Sequence, residues 1–194
     1  ALNQRHNAEN AMAAVLACRH LGIPAETAAE VLKEFAPPGH RCETVRTLDG
    51  VLWLNDSKAT NLHALETALK SQHSPVILIA GGKDKGLDYV PLRPMLKEKV
   101  RACVVFGQIA DQLQHAFSPA VPTEKAADVE ACVEKARSLA RQGDTVLFSP
   151  GTSSFDMFTG YVQRGQAFRD AVNALPSFPD NSPENDHHEN DQDT

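Results

Sequence analysis

Apolar residues recur at helical spacing through the first forty positions. Residues 7–20 (NAENAMAAVLACRH) predict an Ala-rich helix stopped by Leu21-Gly22. A second helix opens at Pro24 and carries Val31, Leu32 and Phe35 until Pro37-Pro38-Gly39 ends it. From Glu43 the pattern changes to a hairpin, about 43–47 with 51–54, around the turn dipeptide Asp49-Gly50. A helix follows with Leu62, Leu65 and Leu69 on one face. Strands at 76–80, 102–106 and 145–148 then alternate with helices near 89–98, 108–116 and 127–141, with a short extended piece near 120–123. A last helix is predicted from just after the 149–154 loop to about Leu175, with Ser153 or Ser154 as its cap on the ordinary reading of that loop, and with Arg164 and Arg169 on it, solvated or salt-bridged. Continuous apolar strands separated by helices predict an α/β fold: a Rossmann-like, mostly parallel sheet covered by helices on both faces.

Composition removes several function classes. No apolar run approaches the roughly 20 residues that span a bilayer, and the N-terminus has no signal-peptide character, so the expectation is a cytoplasmic protein with no membrane partner. The four cysteines, Cys18, Cys42, Cys103 and Cys132, show no CxxC spacing and read as reduced thiols rather than a metal cluster. The formal charge of −6 comes from six acids after Pro176, in a stretch without Lys or Arg. Without them 19 acids face 19 bases, so no basic face argues for nucleic acid. Residues 176–194 are too polar to order themselves and read as a disordered acidic tail, in which His187-His188 carries no metal argument.

Candidate chemistry gathers where strands should end. In an open parallel sheet, ligands bind beyond the carboxyl ends of the strands. Three loops leave such ends: Asn55-Asp56-Ser57-Lys58, Gly81-Gly82-Lys83-Asp84-Lys85-Gly86 and Ser149-Pro150-Gly151-Thr152-Ser153-Ser154. Each has an ordinary alternative. Asp56 or Thr60 serves as a helix cap as well as a ligand contact, the glycine run serves as a plain turn, and the serines serve as caps. The glycine run matches neither a P-loop nor GxGxxG, and no GxSxG elbow is present. His40-Arg41, after the two prolines, is either a linker charge or a phosphate or ribose contact across a domain boundary. The segment 35–42 reads as a hinge.

Taken together, His6-Asn7, Asn10, Pro38-Gly39-His40-Arg41, the run 55–61 (NDSKATN), the run 81–86 and the run 149–158 resemble the Mur ligase family, on the branch that joins D-glutamate to UDP-N-acetylmuramoyl-L-alanine in peptidoglycan synthesis. The resemblance covers the chain to about Leu175. Tyr161 stands where some members have Phe, and Lys83 where an acid can occur.

This resemblance implies an ATP-dependent amide-bond ligase working through an acyl phosphate. Residues 1–40 would be the C-terminal helices of its central ATP-binding domain and 41–175 its C-terminal Rossmann-like domain, with the P-loop, the UDP-binding domain and most Mg2+ ligands lying in parts not included in this stretch. The stretch is therefore expected to be inactive alone, and to belong to a monomeric enzyme. By position, Asn7, Asn10, Arg41, Asp56 and Lys58 would contact ATP, with Lys58 also catalytic. Thr60, Lys85, Ser154, Phe155 and Tyr161 would hold D-glutamate. Other Mur-type or folylpolyglutamate-type ligases, and a non-catalytic nucleotide or amino-acid binding module, are the alternatives.

Overall fold

A computed structural model describes residues 5–35 and 38–177. The predicted disordered tail lies outside the described residues except for Pro176 and Ser177, and so do Pro37 and the side chain of Asn7. Two helices come first, α1 (Arg5–His20) and α2 (Ala25–Glu34). They pack on each other, and Gly22, at φ 82°, makes the left-handed stop after α1 that the sequence predicted. No residue of α2 is buried, and Met12, Leu16, Leu21, Val31 and Phe35 are exposed. No helix among the described residues is long and apolar enough to cross a membrane.

The hairpin β1 (Glu43–Leu48) and β2 (Val51–Asn55) forms as read. Asp49 and Gly50 take φ of 52° and 73°, the pair of positive values that a twist-compatible two-residue turn requires. Then come α3 (Leu62–Lys70), β3 (Val76–Gly81), a 3-10 turn (Val90–Leu92), α4 (Arg93–Lys99), β4 (Val100–Phe106), α5 (Ala110–Phe117), β5 (Thr123–Lys125), α6 (Val129–Leu139), β6 (Thr145–Phe148) and α7 (Tyr161–Ala174).

Spatial order differs from chain order. The sheet runs β1-β2-β6-β3-β4-β5, with every neighbour parallel except the β1–β2 pair at one edge. Alternate side chains of each strand enter separate cores. Val76, Leu78 and Ala80 of β3 meet Leu65, Leu69, Leu96, Leu113 and Phe117 from α3, α4 and α5. Ile77 and Ile79 face Val129, Cys132, Val133, Phe168 and Val172 from α6 and α7. On that second face Phe148 stacks on Phe168 with ring centroids 4.4 Å apart.

Three local expectations need correction. The cap of α3 is Asn61, whose side chain accepts the Ala64 N–H at 2.9 Å, rather than Asp56 or Thr60. Asp56 is committed elsewhere, to Ser149 and Cys42. The last helix begins at Tyr161 with Gly160 before it and no side-chain cap, so Ser153 and Ser154 cap nothing. The intervening residues turn back toward β3, held by Lys83 N–H donating to Ser153 O at 2.8 Å. Arg164 is neither solvated nor ion-paired among the described residues, whereas Arg169 does pair with Glu43 at 2.7 Å.

Candidate functional site

Placing β6 between β2 and β3 sets the three polar loops side by side at one rim. Main-chain bonds join them: Asp56 N–H to Phe148 O at 2.8 Å, Gly151 N–H to Ala59 O at 2.9 Å, and Gly81 N–H to Pro150 O at 3.1 Å. Gly82 sits at φ 138°, and a Cβ there would lie 2.3 Å from Ser153 O, so the glycine is what lets the two loops touch.

Beneath the rim lies a polar layer that the sequence did not announce. Asn55, fully buried, donates to Gly165 O at 3.0 Å, shares a 2.9 Å bond with His40 Nδ1, and accepts the Ser57 N–H at 3.1 Å. Arg164, also fully buried, donates through Nε to Ser57 Oγ at 3.1 Å and through Nη2 to Ser57 O at 2.9 Å and Thr152 O at 3.1 Å. Its Nη1 lies 3.5 Å from Gly81 O. One side chain thus ties all three loops together. Burial pulls its pKa down to about 10, partly offset by Asp156, and it stays a cation at neutral pH. A guanidinium with five fixed donors suits a task of binding several carbonyls.

Asp56 is 7% exposed. Its Oδ2 accepts from Ser149 Oγ at 2.8 Å and its Oδ1 from the Cys42 N–H at 3.2 Å. Burial pushes its pKa up to about 6 against the opposing pull of those bonds and of Arg41. A carboxylate has about four lone-pair sites, so Asp56 keeps acceptor capacity for a further hydroxyl. Ahead of it, the strap of residues 38–42 is held in left-handed conformations, His40 at φ 62° and Cys42 at 43°. The His40 N–H is bound by Glu43 Oε2 at 2.8 Å, and His40 O takes the Lys58 N–H at 3.0 Å. The His40 ring is buried against Gly165, where any Cβ would meet it at 2.3 Å, and desolvation lowers its pKa.

At the surface of this frame stand the cations. Lys58 Nζ lies 5.4 Å above the Tyr161 ring, and Tyr161 O accepts from Ser57 Oγ at 2.8 Å. Lys85 Nζ reaches Thr60 O at 3.2 Å, so the β2 and β3 loops share a cation. Ser154 is buried in the third loop, beside Ser153. Both Lys83 and Phe155, by contrast, line a cleft over the ends of β4 and β5 with Gln108, Ala126, Asp156 and Met157. Lys58, Thr60, Lys85, Ser154 and Tyr161 are thus brought to one rim, with Asp56 beneath it and Arg41 near enough to act on its charge. Asn10 is exposed on α1. No three His, Cys, Asp or Glu side chains among the described residues are grouped to hold a metal ion.

Asn55, Ser57, His40 and Ser149 lie in stretches the sequence singled out, though it gave none of them this buried role, and Arg164 was missed as part of the site altogether. Arg164 nevertheless had a signal. It falls on the buried stripe 164, 165, 168, 172 of α7, a place where an arginine needs a reason.

Known proteins resemble this chain in sequence and in fold. The family described as "Mur ligase, glutamate ligase domain" matches residues 40–152. A UDP-N-acetylmuramoylalanine–D-glutamate ligase of Chlorobium phaeobacteroides (strain BS1) is 47% identical over 173 residues, 89% of this chain and 37% of that protein. One from Lawsonia intracellularis is 42% identical over 170 residues, 88% of this chain and 39% of that protein. The chain therefore spans under two fifths of the length of these relatives. Among solved structures, a Mycobacterium tuberculosis folylpolyglutamate synthase complexed with ADP and AMPPCP superposes with TM-score 0.63 at 18% identity, over 91% of this chain and 42% of that one. A Thermotoga maritima MurF ligase in complex with ADP gives 0.58 at 18% identity, over 86% and 38%. These two likenesses establish the fold.

Proposed function

Because the chain belongs to the Mur ligase family, we propose that it is the C-terminal part of an ATP-dependent ligase that joins D-glutamate to UDP-N-acetylmuramoyl-L-alanine, in a monomeric cytoplasmic enzyme. Residues 1–40 would close the preceding ATP-binding domain, a reading supported by the exposed apolar residues of α1 and α2. The observation that carries the proposal is the convergence of Lys58, Thr60, Lys85 and Ser154 on three adjacent loops.

A dianionic amino acid suits such a rim, since each carboxylate needs its own donors. Thr60 and Lys85 would take one carboxylate. Ser154 and the uncapped N–H groups at the start of α7, beginning with that of Tyr161, would take the other. Phe155 would flank the substrate from the neighbouring cleft. With both carboxylates gripped, the amine is presented to the activated acyl carbon, and positioning of this kind supplies much of the catalysis in group transfer. Lys58, steered by the Tyr161 ring, would stabilise negative charge at the acyl phosphate.

The residues present also fit a nucleotide. Asp56 has spare acceptor capacity for a ribose hydroxyl, Arg41 is an exposed cation beside it, and Asn7 and Asn10 would approach the base from α1. ATP supplies the phosphoryl group that activates the acid. Most of the magnesium ligands would come from the preceding ATP-binding domain.

The test is made in the complete ligase. Lys85→Ala should weaken D-glutamate binding about 10- to 150-fold, the worth of one charged hydrogen bond. An unchanged affinity removes Lys85 from the grip and the convergence argument with it.

A further inference from the structure

The loop that carries Lys85 leaves β3 through Gly81 and Gly82, and its residues 83–86 are exposed. Glycine and solvent give such a segment little rigidity of its own, yet a grip on a carboxylate needs a fixed cation. The rigidity is supplied locally and from a neighbouring strand. Asp84 Oδ1 accepts the Gly86 N–H at 2.8 Å, a side-chain turn that encloses Lys85. Gln108, just past the end of β4, accepts the Asp84 N–H on its side-chain oxygen at 3.1 Å. Gln112, one turn further along α5, donates to Leu87 O at 3.0 Å, and the Ile109 N–H donates to Gly82 O at 3.2 Å. The segment 108–112 thus holds the β3 loop at residues 82, 84 and 87.

The main chain of Gln108 is held by the other grip loop. Its N–H donates to Asp156 Oδ2 at 3.0 Å, and Asp156 lies two residues past Ser154. Gly107 makes this meeting possible: it sits at φ 74°, and a Cβ there would lie 2.5 Å from Asp156 Oδ2 and 2.9 Å from Gly82 Cα. Gln108 therefore joins both grip loops, the Lys85 loop through its side chain and the Ser154 loop through its backbone. The direct bonds between those loops involve Gly81 and Lys83, at the root of the β3 loop. Beyond that root, toward Lys85, Gln108 makes the joint.

We propose that Gln108 is a positioning residue that sets the separation of the two carboxylate grips, and with it the chain length of the dicarboxylic amino acid that the rim accepts. Lys85 and Ser154 belong to loops of two different strands, so a ligand with one methylene more or fewer must find them further apart or closer together. Tying both loops to one residue makes that separation costly to change. A misfit of one methylene is worth only about 10- to 200-fold in a well-formed site, so a loosened frame shows first in selectivity. The inference rests on the D-glutamate reading of the same rim and names what fixes its spacing.

The test uses the complete ligase and Gln108→Met, which keeps the length of the side chain and removes its acceptor. Gln108 is exposed, so the ligand-free variant should melt at the parent's temperature. KM for D-glutamate should rise about two- to tenfold, the worth of one ordinary hydrogen bond, with kcat little changed. D-Aspartate and D-2-aminoadipate, one methylene shorter and one longer, are measured as competitive inhibitors. Their inhibition constants should change less, so the preference for D-glutamate over each narrows by a similar factor. An unchanged KM overturns the proposal where the parent saturates normally with D-glutamate. So does a KM that rises in step with both inhibition constants, or a lower melting temperature with the preference intact, since Gln108 would then be a structural brace alone. A parent that does not saturate with D-glutamate sinks the substrate reading and this inference together.

Discussion

Replacing Asp56 with asparagine should make the protein more stable at pH 8 and confer little advantage at pH 4. The carboxyl sits 7% exposed beneath the rim, and burial lifts its pKa from an ordinary value of 3.8 to about 6. The folded state therefore prefers the protonated group. Below about pH 4 the acid is protonated in both states and costs nothing. As pH rises from 4 to 6 the unfolded chain ionises while the folded one resists, and stability is lost until the folded group titrates near 6. Above that the deficit is constant. A shift of about two units at 1.36 kcal/mol each amounts to about 3 kcal/mol. For a chain of this size that is about 6–12 °C in melting temperature. Thermal melts of both proteins from pH 4 to 8 measure the difference, in which other titrating groups cancel. Asparagine keeps an oxygen for the Cys42 N–H and an amide for Ser149, so the comparison isolates the charge. A pH-independent difference, or a variant less stable at pH 8, would refute the reasoning: the bonds from Ser149 and Cys42 and the charge of Arg41 would then outweigh desolvation. Carrying a carboxyl at such a cost is characteristic of a site kept for binding.

Two further outcomes follow from the same geometry. Arg164→Met fills similar space but leaves the carbonyls of Ser57 and Thr152 short of a buried donor, and should cost about 3 kcal/mol in urea unfolding; a loss under about 0.5 kcal/mol would show that water or neighbours replace it. Lys83→Glu reverses a charge that faces the cleft over β4 and β5, so at physiological salt KM for D-glutamate in the complete ligase should move less than about threefold. A tenfold rise would place Lys83 in the grip.

Much of this molecule was legible along the chain. Helices and strands followed from period and from turn residues, because Asp49-Gly50, Leu21-Gly22 and Pro24 act through their own backbone geometry. The rule that ligands gather at strand ends picked out the three loops, and the resemblance carried by the run 55–61 agrees with the family match over residues 40–152. Capping, the ordinary alternative at both ends of the site, fails at both. Asp56, Ser153 and Ser154 are all chemically able to cap, and only the fold shows that their polar groups and backbone are needed between loops.

Local order was therefore written in the amino acids themselves, since hydrophobic period and turn chemistry act over a few residues. What lay beyond it was the insertion of β6 between β2 and β3, a choice made by packing both faces of a six-stranded sheet at once. That insertion is why residues 57, 81, 152 and 164, far apart along the chain, share one guanidinium, and why Lys85 meets Thr60 while Lys83, two positions away, faces another cleft. Contacts between distant segments depend on strand order, and no window of sequence contains it.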